Sequence, residues 1–77
     1  MKTYYANFNA NNGTSLDKSI TDTNKQRLIK DIMEIAEGEC YCNNSASWYV
    51  LDEDGNEIAS GEIYKNHDGK TRRYRTK

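Results

Sequence analysis

The chain has no proline, one histidine, one tryptophan, one phenylalanine and two cysteines in 77 residues. Without proline there is no proline-rich linker, and no repeat or low-complexity block divides the chain, so one domain over 1–77 is expected. Cys40 and Cys42 stand one residue apart. An intrachain bridge over that spacing would be strained, and thiols in a reducing compartment are the simpler reading. With His67 the two cysteines offer three soft ligands, whereas a closed zinc site takes four, usually from two spaced pairs. The same residues are formally a Cys–His nucleophile pair, but no orienting group or oxyanion site accompanies them. The nucleotide-binding, zinc-protease and nucleophile-elbow patterns G-x-x-x-x-G-K-S/T, G-x-G-x-x-G, H-E-x-x-H and G-x-S-x-G do not occur. Asp52–Glu57 faintly resembles a calcium loop, but Gly55 is fourth where that loop needs its glycine sixth. The expectation is a non-enzymatic chain with no catalytic residue, metal or cofactor.

Long apolar runs are also missing. Nothing approaches the ~20 residues of a membrane span. Met1 to Ala10 is polar and aromatic without a small-residue cleavage site, so no signal peptide is read and a cytoplasmic location is expected. Mean hydropathy is −1.05, a value that leans toward disorder. Six tyrosines, six isoleucines and Trp48 lean the other way, because they fall in patterned segments. A chain this short buries only ~60% of its unfolded surface, so its core has little margin.

The patterned segments predict one small α+β domain. Tyr4, Ala6 and Phe8 alternate with polar or exposed positions, which predicts a strand over 2–9. Asn12-Gly13 is a hairpin signal, but a two-residue turn there sets Phe8 opposite Asp17 and Ala6 opposite Ser19. Leu16 and Ile20 would then face away from Phe8, so Asn9 to Asp22 is read mainly as a connecting loop. A helix is expected over 23–37. Thr23 to Gln26 fits a capping box, Leu28, Ile29, Ile32, Ile35 and Ala36 form an apolar stripe widened by Met33, and Gly38 suits a left-handed stop.

Residues 46–53 and 56–65 read as a hairpin turning at Asp54-Gly55. Its register sets Val50 opposite Ala59, Trp48 opposite Gly61 and Ala46 opposite Ile63, a coherent core face with room for the indole. Asp68-Gly69 allows a further hairpin in which Ile63 meets Tyr74, Tyr64 meets Arg73 and Glu62 meets Arg75. The architecture is one amphipathic helix on a three- to four-stranded, mostly antiparallel sheet in the order β-α-β-β, with a C-terminal segment that is an edge strand or a tail.

Charge is distributed unevenly. Residues 65–77 carry six basic side chains against Asp68, while residues 1–64 carry five basic and eleven acidic ones. Such a dipolar chain suggests an electrostatic contact surface. On the helix the basic residues Lys25, Arg27 and Lys30 precede the acids Asp31, Glu34 and Glu37, an order opposed to the helix dipole. The simplest reading of that side is a solvated face.

Two functions follow from the deduced faces. The first is a module that binds another protein, or itself as a homodimer, through the uncovered sheet face at Tyr49, Leu51, Ile58, Tyr64, Arg73 and Arg75. The alternative is nucleic-acid binding through Lys65, Lys70, Arg72, Arg73, Arg75 and Lys77, with tyrosines stacking on unpaired bases. The net negative charge of the whole chain favours the first. The helix, the Trp48–Lys65 segment and the basic stretch superficially resemble the first part of a double-stranded-RNA-binding domain. That family closes with a second helix carrying lysines, whereas Thr71 to Lys77 reads as strand, so the resemblance is set aside. Size, charge asymmetry and lack of catalytic chemistry resemble those of small accessory proteins of phages and mobile elements.

Overall fold

Alternation of apolar and polar side chains builds the first strand, β1 (Tyr4–Asn11), with Ala6, Phe8 and Ala10 buried. The computed structural model describes residues 2–11, 15–40 and 44–77. After β1 come β2 (Ser15–Asp22), α1 (Lys25–Glu39), β3 (Asn44–Leu51), β4 (Glu57–Lys65) and β5 (Thr71–Arg75). The strands form one antiparallel sheet in the order β2-β1-β3-β4-β5. The α+β class is as expected, with five strands where three or four were read. No second helix follows the sheet among the described residues.

The fifth strand comes from the segment read as a loop. Asn9 to Asp22 contains the end of β1 and all of β2. Its register differs by one residue from the two-residue turn: Phe8 pairs with Lys18 and Ala6 with Ile20. A one-residue slip moves a strand's side chains to the other face. Here it carries Ile20 to the side of Ala6 and Phe8, where it packs against the core. The conflict that argued against a hairpin disappears. The Asn12-Gly13 pair itself lies outside the described residues.

Because β1 is antiparallel to both neighbours, β2 and β3 run parallel on either side of it, and α1 crosses over β1 between them. The helix starts two residues later than expected, with Asn24 and not Thr23 as its N-cap. The Asn24 side chain accepts the Arg27 backbone N–H at 3.0 Å, and Asp22 Oδ1 accepts the Asn24 N–H at 3.0 Å. Leu28, Ile29, Ile32 and Ala36 are buried against the sheet, with Met33 and Ile35 at the margin. Gly38 does not stop the helix. It lies within α1, and the chain leaves at Cys40 in an extended conformation. Left-handed glycines occur instead at Gly55 and Gly69, each with φ 85°.

Those two glycines close the remaining hairpins, with three loop residues where two were expected. In the first, Gly55 N–H bonds to Asp52 O at 3.1 Å and Asp52 N–H to Asn56 O at 2.9 Å. In the second, Gly69 N–H bonds to Asn66 O at 3.0 Å and Asn66 N–H to Lys70 O at 2.8 Å. Both are four-residue turns whose fourth residue is a glycine in the left-handed region, a common three-residue hairpin loop. A turn centred on Asp54-Gly55 would set Glu53 opposite Asn56, whereas Asp52 is the residue bonded to Asn56. In the β3–β4 hairpin the extra residue is absorbed at once. Leu51 pairs with Glu57 but Val50 pairs with Ala59, so Ile58 is the additional residue of a bulge. Beyond the bulge the expected register is restored, and Trp48 stands opposite Gly61 and Ala46 opposite Ile63.

No such correction occurs between β4 and β5. Ile63 pairs with Arg73, Glu62 with Tyr74 and Tyr64 with Arg72, one residue away from the expected ladder. Tyr74 therefore leaves the core side, and Arg73 and Arg75 join it. The buried core comprises Phe8, Leu28, Ile32, Trp48, Val50 and Ile63 with smaller residues between them. All of it lies on the helix side of the sheet.

Candidate functional site

Among the described residues a single helix covers one face of the sheet and none packs on the other. Strand alternation and the ladders set its composition. β1 contributes Tyr5, Asn7 and Asn9, and β2 contributes Asp17, Ser19 and Thr21. β3 contributes Ser45, Ser47, Tyr49 and Leu51. Glu57, Ser60, Glu62 and Tyr64 come from β4, and Arg72 and Tyr74 from β5. Tyrosine, serine and asparagine dominate. Among the described residues the formal charges on it are Asp17, Glu57, Glu62 and Arg72.

A shallow concavity of about 780 Å³ on this face is lined by Glu62, Tyr64, Asn66, Arg72 and Tyr74. Tyr64 and Tyr74 meet edge to face, with centroids 5.5 Å apart and planes at 80°. They are 42% and 50% exposed, more than any other large hydrophobic side chain among the described residues. The Tyr64 hydroxyl donates to Glu62 Oε2 at 2.8 Å. That bond, and the carboxylate charge behind it, raise the Tyr64 pKa above the ordinary phenol value. At the far edge of the face, Asn7 Nδ2 donates to Asp17 Oδ1 at 2.6 Å.

Of the six residues expected on this face, Tyr49, Leu51 and Tyr64 are there. Ile58, the bulge residue, packs against the core cluster and lines a small cleft with Tyr4 and Lys25 near the helix start. Arg73 lies on the helix side, where Nε donates to Glu37 Oε2 at 3.0 Å and the guanidinium forms an ion pair with the same carboxylate. Arg75 stacks over the Trp48 ring with 5.7 Å from Cζ to the centroid, and its Nε donates to Lys77 O at 2.8 Å. The one-residue offset of β5 is the cause of both arginine displacements.

The basic segment is correspondingly divided. Lys65 Nζ reaches Glu37 O at 3.2 Å and, with Arg73, brings positive charge to the C-terminal end of α1. The helix has no basic residue in its own last turn, so β4 and β5 supply the cations its dipole favours there. The Arg73 guanidinium beside Glu37 holds its carboxyl below the usual carboxylate range. Lys70 follows the β4–β5 loop and is exposed, and Lys77 lies beyond β5, its backbone bonded to Ser60. Only Arg72 of the six stands on the open face, where it makes no ion pair among the described residues.

Pattern reading missed Tyr5, Asn7, Asn9 and the β2 residues as part of this face, because β2 was not recognised as a strand. The alternation of β1 already opposed Tyr5 and Asn7 to Phe8. Tyr74 was missed through the register of β5.

Cys40 is buried, and its thiol donates to Asn44 O at 3.2 Å, whereas His67 is exposed in the β4–β5 loop. Cys42 lies outside the described residues. Among the described residues no three His, Cys, Asp or Glu side chains are grouped as a metal site, and no helix is long and apolar enough to cross a membrane. No protein-family model, curated protein sequence or solved structure matches the chain.

Proposed function

We propose that this chain is a non-enzymatic interaction module that binds a protein surface through the open face of its sheet, in the cytoplasm. The observation that carries the reading is the chemistry of that face: tyrosine, serine and asparagine on rigid strands, with a single cation. Tyrosine offers large amphipathic contact area at low conformational cost, and serine and asparagine offer adaptable hydrogen bonding, the same mixture that serves protein recognition in antibody loops. Tyr49 adds apolar area near the centre, and Leu51 adds more at the end of β3.

The nucleic-acid alternative through Lys65, Lys70, Arg72, Arg73, Arg75 and Lys77 draws less support. A polyanion needs several cations on one surface. Here Arg73 and Lys65 serve the helix end, Arg75 covers Trp48, and the open face carries three carboxylates for one guanidinium.

A tagged chain used as bait, beside Tyr49→Ser/Tyr64→Ser and a helix-face control Lys30→Glu, tests the reading. A partner captured by the chain and the control but lost from the double variant supports it. Capture that is indifferent to the double variant rejects it. Salt-dependent binding of labelled single- or double-stranded nucleic acid, lost with Arg72→Ala, would move the assignment to the alternative.

A further inference from the structure

The open face carries opposite charges at opposite edges. Asp17 stands on the outer strand β2 and Arg72 on the outer strand β5. The ladders set Asp17, Ser47 and Tyr74 on one row across the sheet, and Arg72 on the next row beside Tyr64. The middle strand of five is β3. A two-fold axis lying along β3, in the plane of the face, lays β2 of one copy over β5 of the other and keeps the rows aligned. Asp17 of each copy then meets Arg72 and the Tyr74 hydroxyl of the other. Glu57 and Glu62 fall over Tyr5 and Asn9 of β1, so no carboxylate faces another. A two-fold axis across the strands lays β2 on β2 and β5 on β5 and brings neither charge pair together.

We infer that the partner of the open face is a second copy of this chain, packed face to face about an axis along β3 with reciprocal Asp17–Arg72 pairs. The inference rests on the proposed use of this face for protein binding. The axis places Tyr49, Ser47 and Ser45 of β3 against their own counterparts, as an isologous interface requires. Two sheets related this way stack with their β3 strands aligned and ~10 Å between layers, a β-sandwich with helices outside. Five strands spaced ~4.8 Å, with about three to four rows of side chains, give a footprint of roughly 500 Å² per copy. The side-chain relief of two such faces brings the total near the ~1,000 Å² that a specific interface needs. A domain of this size, with one small core, gains most from covering its second face.

Light scattering on a sizing column, across a concentration series, tests the inference with Arg72→Asp, Asp17→Arg and the double charge swap. The expected result is a dimer whose dissociation constant rises about tenfold or more in each single variant and returns near the original value in the double variant. Circular dichroism on each variant separates this from misfolding, because Asp17→Arg also removes the Asn7 contact. A chain monomeric throughout, or a dimer indifferent to Arg72→Asp, overturns the inference. A photo-crosslinking residue at Ser47, used in the cell of origin, distinguishes the two levels. A homodimer adduct supports the inference. An adduct with a different protein alone overturns it and leaves the face as a protein-binding surface. No adduct from Ser47, with one from a control position at Lys30, overturns both.

Discussion

Gly61 lies directly across the ladder from Trp48, and the indole occupies the space a side chain at 61 would need. A Cβ built there would stand 2.9 Å from Trp48 Cζ2 and Nε1 and 2.5 Å from Tyr74 O. Backbone on one side and a 3%-exposed tryptophan on the other leave little room to yield. Gly61→Ala is therefore expected to destabilise the fold by about 1–3 kcal/mol through overpacking. Trp48→Ala is expected to cost about 3–5 kcal/mol. Urea unfolding followed by circular dichroism measures both. Native tryptophan emission at the wavelength of free indole in water would contradict the burial on which these values rest.

Gly55 and Gly69 are required for conformation and not for space. Each has φ 85° with nothing near its would-be Cβ. Alanine at either position should cost roughly 1–2 kcal/mol, the left-handed penalty for an L-residue. Gly38, helical and equally uncrowded, should respond in the opposite sense, and Gly38→Ala should stabilise by up to about 1 kcal/mol. The pair of signs, read from thermal or urea midpoints, separates the observed helix end from a left-handed stop at Gly38.

Arg72 and Arg73 are adjacent in sequence and opposed in space. Arg73→Ala removes the bond to Glu37 and should lower stability by about 0.2–1 kcal/mol, the range for an exposed pair. Arg72→Ala should leave stability within about 0.5 kcal/mol of the original. A double-mutant cycle with Glu37→Gln checks the assignment: coupling belongs to Arg73 and is absent for Arg72. The reverse pattern would mean that β5 pairs in the other register.

Three carboxylates set the acid limb of stability. Arg27 holds the Asp22 carboxyl well below its ordinary range, Arg73 lowers Glu37, and the Asn56 and Asp54 backbone N–H groups lower Asp52. A depressed folded-state pKa means that the unfolded chain binds protons first as pH falls. The stabilising contribution of each group is therefore complete above its unfolded value, near pH 4, and is lost as pH drops toward the folded value. Stability should be level on this account from neutral pH to about pH 5 and fall below about pH 4. Asp22→Asn should flatten part of that fall. A urea midpoint series from pH 7 to pH 2.5 provides the measurement, and a rise in stability on acidification would refute the assigned pairs.

The identity of most elements was legible because two periodicities are strong here. Leu28, Ile29, Ile32 and Ala36 can share a face only on a helix, and Trp48 and Val50 with Ala59 and Ile63 only on paired strands. The hairpin loops were legible in kind but not in length. Asp54-Gly55 and Asp68-Gly69 suit a two-residue turn, yet Asp52 and Asn66 stand three residues before each glycine, the arrangement of a turn with Asp or Asn first and glycine fourth. Asp52 Oδ1 accepts the N–H groups of Asp54 and Asn56, both at 2.9 Å, which stabilises the longer loop.

The sequence by itself determined which residues alternate and therefore which sets must share a face: Tyr4, Ala6 and Phe8, or Tyr64 with Glu62. It could not determine how those sets are matched between strands, because loops of two and three residues around the same Asp-Gly differ by little energy while reversing every side chain beyond them. The tertiary structure decided that. Ile20 completes a core only when β2 is offset by one residue from the short turn. Ile58 bulges out of the ladder so that Trp48 can keep its place over Gly61. No bulge intervenes before β5, where Arg73 finds Glu37 at the uncompensated helix end and Arg75 finds the indole. Those contacts join residues far apart in the chain, and their energies enter only once the helix has settled on the sheet. Tyr74 and Arg72 are consequently turned to the open face.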